Sequence, residues 1–254
     1  MDMNQTILGR LDELGECSYA ELTNHLGVST MTVRRRVTEL AKQGAVIKTP
    51  GGVRSVGGLS SLYETNIQSR LRANRREKLA IASEAAALLR GNETIFIDGS
   101  TTCLELARKL ADFTGLTVVT NSALMCLELG RQGKCRVIAV GGQYDPMSLS
   151  YGGPTAEDIS RRFFPDFAFF STKGFIPEEG TYESSEPTLR IKQIVAAQCG
   201  RVVLLVDHTK FGDRGLCKVL DTSQIRQVIT DAAAPKSGLD VLRSRNIGVI
   251  VASL

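Results

Sequence analysis

SYAELTNHLGVSTMTVRRRVTEL, residues 18–40, reads as two short helices joined by a tight turn. Ser18 and Glu21 have the spacing of a capping box, in which the hydroxyl and the carboxylate each satisfy a free backbone N–H. The helix opened there buries Leu22 and Leu26 and stops at Gly27. Ser29 caps the next helix, whose Val33, Val37 and Leu40 form a buried stripe and which ends at Gly44. A Gly-Val turn between two such helices makes a helix-turn-helix.

At about 100° per residue, the second helix turns Met31, Thr32, Arg34, Arg35, Thr38 and Lys42 outward. Ser29 and Thr30 stand at its start, and Arg35 lies nearly opposite the buried stripe. An outer face of Thr and Arg near a helix N-terminus suits the DNA major groove. Arg donates two hydrogen bonds to guanine, and Thr touches a base edge, a methyl or a phosphate. Arg36 sits on the shoulder of the stripe and is placed for a phosphate or a neighbouring helix instead.

Working outward, Ile7, Leu8, Leu11 and Leu14 predict a preceding helix that ends near Gly15. On the other side, Ala45–Lys48 and Val53–Val56 flank Thr49-Pro50-Gly51-Gly52, which predicts a β-hairpin wing. Lys48 and Arg54 on that wing, with Gly51 and Gly52 at its tip, are candidate contacts to phosphates. A winged helix-turn-helix is thus expected over residues 1–57. A helical protein-interaction domain with a basic surface is the alternative.

Charge supports the first reading. Residues 1–28 carry one Lys or Arg against five Asp or Glu, and residues 29–57 carry six against one. Residues 58–78 carry five against two, and residues 79–254 carry nineteen of each. The net excess of +4 is therefore confined to the front of the chain, as a polyanion partner would require. Residues 58–78 are expected to be a linker, opening with the flexible Gly57-Gly58-Leu59-Ser60-Ser61. Its basic run either touches DNA flanks or is simply solvated.

From residue 79 to residue 254, helical patterns alternate with short β-branched runs. Strands are predicted at Thr94–Asp98, Thr117–Thr120, Val137–Val140, Phe167–Phe170, Val202–Val206, Val228–Thr230 and Ile247–Val251. Helices are predicted at Leu79–Leu89, Cys103–Leu110, Ala123–Leu129, Glu186–Cys199 and Ser237–Arg245. This alternation predicts an α/β domain, a doubly wound and largely parallel sheet with ligands at the carboxyl ends of its strands. Those ends are polar. They read Asp98-Gly99-Ser100-Thr101-Thr102, Thr120-Asn121-Ser122, Gly141-Gly142, Ser171-Thr172-Lys173-Gly174 and Asp207-His208-Thr209-Lys210. Two lysines and two hydroxyl-bearing helix starts would hold a phosphate. Asp98, Asn121 and Asp207 would serve sugar hydroxyls.

Several chemistries are excluded or disfavoured. Six scattered cysteines and two histidines argue against a zinc site, a disulfide frame or a His-rich catalytic centre. Neither a Walker A sequence nor G-x-G-x-x-G occurs, so no nucleotide cofactor is expected. No apolar run is long enough for a bilayer, and MDMNQTILGR lacks the pattern of a secretion signal. A cytoplasmic protein without membrane contact is expected.

Val28-Ser29, Thr32-Val33-Arg34-Arg35, Leu40, Gly44 and Gly51-Gly52 together resemble the DNA-binding domain of the DeoR family of bacterial sugar-metabolism regulators. The chain departs from that pattern at Arg36, where the family usually has an acid; this bears on operator preference, not on fold. The resemblance runs on through Glu77-Lys78, Asp98–Thr102, Thr120-Asn121-Ser122, Gly141-Gly142, Asp207 and Lys210-Phe211. It implies a sensor domain similar to ribose-5-phosphate isomerases and glucosamine-6-phosphate deaminases. It further implies a double-stranded DNA operator, a phosphorylated sugar effector that releases a repressor, and a homodimer or homotetramer. Ser100, Thr101 and Thr102 would cradle the phosphate, with Lys210 and Lys173 as counter-charges. Two alternatives stay open at this point. One is a sugar-phosphate isomerase or deaminase with a fused DNA-binding head, using Asp98, Asp207, Lys173 and His208 as acid and base. The other is an activator with a non-phosphorylated effector.

Overall fold

A computed structural model describes residues 3–14, 16–43, 45–55, 67–146, 148–184 and 186–254. Gly15 and Gly44, expected to end helices, and residues 56–66 of the wing end and linker lie outside the described residues. The chain divides into two compact units, Met1–Tyr63 and Glu64–Leu254.

The first unit contains α1 (Met3–Leu14), β1 (Glu16–Ser18), α2 (Tyr19–Leu26), α3 (Thr30–Lys42), β2 (Val46–Thr49) and β3 (Gly52–Ser55). The capping box forms as read: Ser18 Oγ accepts the Glu21 N–H at 3.1 Å and Glu21 Oε2 accepts the Ser18 N–H at 2.7 Å. Gly27 ends α2 at φ 63°, a left-handed conformation that glycine adopts without strain. Ile7, Leu11, Leu22, Val33, Val37, Leu40, Val46 and Val53 fill the core between the helices and the sheet. The hairpin β2–β3 gains a third strand, β1, in the order β1-β3-β2. That strand was not anticipated, because three residues are too few for a period-2 pattern to show.

The second unit opens with α4 (Ile67–Arg72) and α5 (Arg75–Ala86), so the latter half of the expected linker is helical. There follow β4 (Thr94–Ile97), α6 (Thr101–Lys109), β5 (Thr117–Thr120), α7 (Ala123–Gln132), β6 (Arg136–Ala139), β7 (Gln143–Asp145), β8 (Ser150–Gly152) and α8 (Gly153–Ser160). The remainder is β9 (Phe167–Phe170), β10 (Gly174–Ile176), β11 (Gly180–Glu183), α9 (Glu186–Gln198), β12 (Arg201–Leu205), β13 (Cys217–Asp221), β14 (Gln227–Asp231), α10 (Lys236–Ser244) and β15 (Gly248–Ala252).

Seven strands form one parallel sheet in the order β15-β14-β12-β9-β4-β5-β6. Alternate residues feed two cores. Ile95, Ile97, Val118, Phe169, Val203 and Leu205 face one, and Phe96, Val119, Ala168, Phe170, Val202 and Leu204 face the other. Burial on both faces is why these strands read as continuous apolar runs. From β4 the chain steps outward to β5 and β6, then jumps back to β9 and proceeds the other way. The reversal between β4 and β9 is a topological switch point, where a crevice opens beyond the strand ends. Two smaller antiparallel sheets, β7-β8 and β10-β11-β13, were not anticipated.

Candidate functional site

Asp98 follows β4 and Ser171 follows β9, so both stand at the switch point. The Asp98 carboxylate is buried and accepts the Ser100 N–H at 2.9 Å and the Ser171 N–H at 3.0 Å. It also pairs with Lys192 Nζ at 2.9 Å. Lys192, on α9, pairs in addition with Glu183 and donates to the Ser171 carbonyl at 2.7 Å. Burial alone would push Asp98 up and Lys192 down. Their attraction outweighs it, holding Asp98 below the usual carboxylate range and Lys192 above the usual lysine range. Asp98 and Lys192 are therefore both charged, and the lysine already has carboxylate partners in Asp98 and Glu183.

These groups form part of the wall of a cavity of about 140 Å³. Gly99, Ser100, Thr101 and Thr102 line one side, at the start of α6. Ser100 Oγ caps the helix by accepting the Cys103 N–H at 3.2 Å. A Cβ on Gly99 would lie 2.2 Å from Ser150 Oγ, so glycine lets β8 approach here. Asn121 lines the same cavity. Its Nδ2 donates to the Tyr151 carbonyl at 3.1 Å, which fixes the amide's orientation, and its buried Oδ1 has no hydrogen-bond partner.

The same cavity is also lined by Lys78, Lys173, Lys210 and Arg70. Lys78 is buried and donates to the carbonyls of Arg70 at 2.5 Å and Ala73 at 2.6 Å. Burial lowers its pKa to about 8, although the Asp207 charge pulls the other way. Lys173 is also lowered, first by burial and then by the positive charges of Lys210 and Arg70. Asp207 Oδ1 accepts the Thr209 N–H at 3.0 Å and Asn74 Nδ2 at 3.1 Å. Asn74 enters α5 in the left-handed region at φ 48°, a conformation asparagine tolerates better than most residues. The cavity lining thus combines cations that repel one another with carboxylates, hydroxyls, a helix start and an unsatisfied amide oxygen.

The structure brings together Asp98, Gly99, Ser100, Thr101, Thr102, Asn121, Lys173, Asp207 and Lys210 from the sequence reading. It places five others outside the cavity lining. Thr120 donates to the Ile97 carbonyl at 2.7 Å inside the sheet, and Ser122 caps α7 by accepting the Met125 N–H at 3.3 Å. Gly141 and Gly142 make a turn at φ 62° and 112°, and a Cβ on Gly142 would meet the Gly152 carbonyl at 2.6 Å. Gly174 packs against the backbone of Asp213. His208 also turns away: its backbone N–H and Nδ1 engage Asp231 at 2.7 and 3.0 Å. Lys192, Glu183, Lys78, Asn74 and Arg70 were missed, because on a helix or strand end they read as ordinary solvated polar residues.

In the first unit, α3 presents a surface with distinct tiers. Ser29 Oγ caps α3 through the Thr32 N–H at 3.2 Å and lies 3.0 Å from Thr32 Oγ1. Thr30 accepts from Thr23 at 3.3 Å. The Arg34 guanidinium lies 5.0 Å from the centre of the Tyr19 ring, and Arg36 pairs with Glu39 at 2.9 Å. Thr38 donates to the Arg34 carbonyl at 2.7 Å and accepts from Lys48 Nζ at 3.1 Å, tying the wing to the helix. Arg35 is exposed on the outer face. Arg54 is half-buried on β3 beside Glu16 of β1. Gly51 is open to solvent, whereas a Cβ on Gly52 would lie 2.2 Å from the Cys17 carbonyl oxygen. Glycine at 52 thus serves the β1–β3 crossing.

A winged helix-turn-helix unit followed by an α/β unit with a polar cavity at its switch point is the architecture of a transcriptional regulator with a separate sensor domain. Residues 4–57 match the DeoR-like helix-turn-helix domain, and residues 73–232 match the DeoR C terminal sensor domain. The chain is 32% identical to the uncharacterized HTH-type transcriptional regulator YgbI of Escherichia coli strain K12, over 99% of this chain and 98% of that one. It is 33% identical to the HTH-type transcriptional regulator GolR of Listeria innocua, over 89% and 88%. It is 30% identical to the L-fucose operon activator of Haemophilus influenzae, over 91% and 92%. Among solved structures, ribose 5-phosphate isomerase A from Methanocaldococcus jannaschii is similar with a TM-score of 0.42 at 16% identity, over 56% of each chain. The chain belongs to the DeoR family of transcriptional regulators.

Proposed function

We propose that this protein is a repressor of a carbohydrate-metabolism operon, released from its operator by a phosphorylated sugar. It is not an enzyme in this reading, and it acts in the cytoplasm as a homodimer or homotetramer. The observation that carries the effector assignment is the cluster of lysines lining the switch-point cavity. Lys192 is neutralised by Asp98 and Glu183, while Lys78, Lys173 and Lys210 converge without a carboxylate in salt-bridge contact among the described residues. A dianionic phosphate would relieve their mutual repulsion. The start of α6 adds backbone N–H groups to that anion site. Asn121 Oδ1, buried and unpartnered, calls for a hydroxyl or amino donor, which the sugar end supplies. On the DNA side, α3 and the wing supply Arg35 for a base edge and Lys48 for a phosphate.

The enzyme alternative loses one of its four candidate acid and base groups, because His208 pairs with Asp231 and does not line the cavity. The test is a thermal-shift screen of sugar phosphates against their unphosphorylated parents. A ligand of the folded state at 100 times its dissociation constant adds about 2.7 kcal/mol of stability. Stabilisation by one sugar phosphate and not by its parent supports the assignment. Stabilisation by parent sugars alone, or turnover of a sugar phosphate, overturns it.

A further inference from the structure

We propose that Met31 is a base-reading residue of α3, seating its side chain against a thymine methyl group in the major groove. The proposal rests on the reading of α3 as the helix that faces the bases. Met31 is the second residue of α3 and is 80% exposed, the most exposed large apolar side chain among the described residues. It makes no contribution to the core formed by Val33, Val37 and Leu40 on the opposite face.

The commitments of its neighbours single it out. Ser29 and Thr32 satisfy each other, Thr30 is held by Thr23, and Arg36 is paired with Glu39. Thr38 is bonded to the Arg34 carbonyl and to Lys48, and Arg34 lies over Tyr19. What remains outward and uncommitted at the start of α3 is Met31 with Arg35, four residues on and therefore beside it on the helix surface; Lys42 is also free among the described residues but lies at the far end of the helix. A cation that reads guanine and an apolar group next to it match the two kinds of feature the major groove offers, acceptor edges and the thymine methyl. The surrounding Arg34, Arg35, Lys42 and Lys48 supply positive charge for the backbone on either side. A methionine is flexible and polarisable, so it fits a methyl without demanding one rotamer.

The test uses the full-length protein and a duplex enriched by it from a random pool. Each thymine of that duplex is replaced in turn by deoxyuridine, which removes only the C5 methyl. At one position per half-site, the replacement should weaken wild-type binding about fourfold, the effect of exposing roughly one buried methyl. Met31→Ala should bind the thymine and uridine duplexes equally, and Met31→Leu should keep most of the discrimination. Arg35→Ala should stay sensitive to uridine while losing selectivity at a neighbouring base pair. Because Met31 is exposed, both of its variants should melt with the wild type. Two results overturn the proposal: a Met31→Ala protein with the same uridine sensitivity as wild type, or a wild type indifferent to every replacement while still selective for the enriched duplex. A wild type that binds enriched and random duplexes alike removes the base-facing reading of α3, and the proposal with it.

Discussion

Lys192 sits on α9 near Ile191 and Val195, residues of one of the two sheet cores, with Asp98 and Glu183 as its counter-charges. Removing it would leave two buried carboxylates without their cation, a change that typically destabilises by about 3–5 kcal/mol. Lys192→Met should therefore lower the unfolding free energy of the second unit by that amount in chemical denaturation. An unchanged midpoint would mean the triad is solvated. The pH window follows from the shifts. Asp98 is depressed, so its contribution is present above about pH 3.9, the ordinary value, and is lost as pH falls through its folded value. Lys192 is raised, so its contribution is present below about pH 10.4 and is lost as pH rises through its folded value. Lys78 has the opposite sign. Its folded pKa of about 8 lies below the free-lysine value, so between those values the unfolded chain binds more protons and stability rises with pH. Measured as unfolding free energy against pH, wild type should gain stability relative to Lys78→Met from about pH 8 to pH 10. A flat difference would place Lys78 in a solvated setting.

Among the elements, the wing illustrates how one dipeptide divides. Gly51 has open space where a Cβ would go, while at Gly52 the Cβ would strike the backbone of Cys17 in β1. Gly51→Ala should leave stability within about 0.5 kcal/mol, as an exposed substitution does. Gly52→Ala should destabilise the first unit by about 1–3 kcal/mol, because β1 and β3 must part. Equal effects at the two positions would show that β1 does not pair with β3. Sequence could identify the glycines but not the third strand that separates them. The same limit explains the rest of the fold. The inner strands of the sheet were legible because β-branched and aromatic runs such as Thr117–Thr120 and Phe167–Phe170 are buried on both faces. The strands Gln143–Asp145, Gly174–Ile176 and Gly180–Glu183 are short, polar or glycine-started, and only their partners make them strands. In the cavity, strand ends announced Asp98 to Thr102 and Asp207, Thr209 and Lys210, since polar residues follow apolar runs there. Lys192 stayed hidden, because in Leu189-Arg190-Ile191-Lys192 it looks like any solvated lysine of an amphipathic helix. Only the placement of α9 across the ends of β4 and β11 buries it between two acids.

At the scale of the whole molecule, the proposed function puts two anion-binding surfaces on one chain. In the proposed function the basic stretch at residues 29–57 meets a polyanion, and the cavity takes a small phosphorylated sugar. If the effector releases DNA, binding at the two surfaces must be coupled in free energy, and the coupling is reciprocal. An effector that weakens operator affinity by some factor is itself bound more weakly, by that same factor, when operator is present. Typical couplings are about 5- to 150-fold. Once the thermal-shift screen has yielded an effector, its affinity should be titrated for free protein and for protein saturated with the enriched duplex. The two dissociation constants should differ by the factor by which saturating effector weakens the duplex. Equal effector affinities with and without DNA would show that the cavity does not control the DNA-binding unit, even if both ligands bind. Tighter effector binding in the presence of DNA would reverse the sign, making the protein one whose effector secures it on the operator rather than releasing it. The reciprocity admits no fourth result, so this pair of titrations fixes the direction of regulation from equilibrium constants alone.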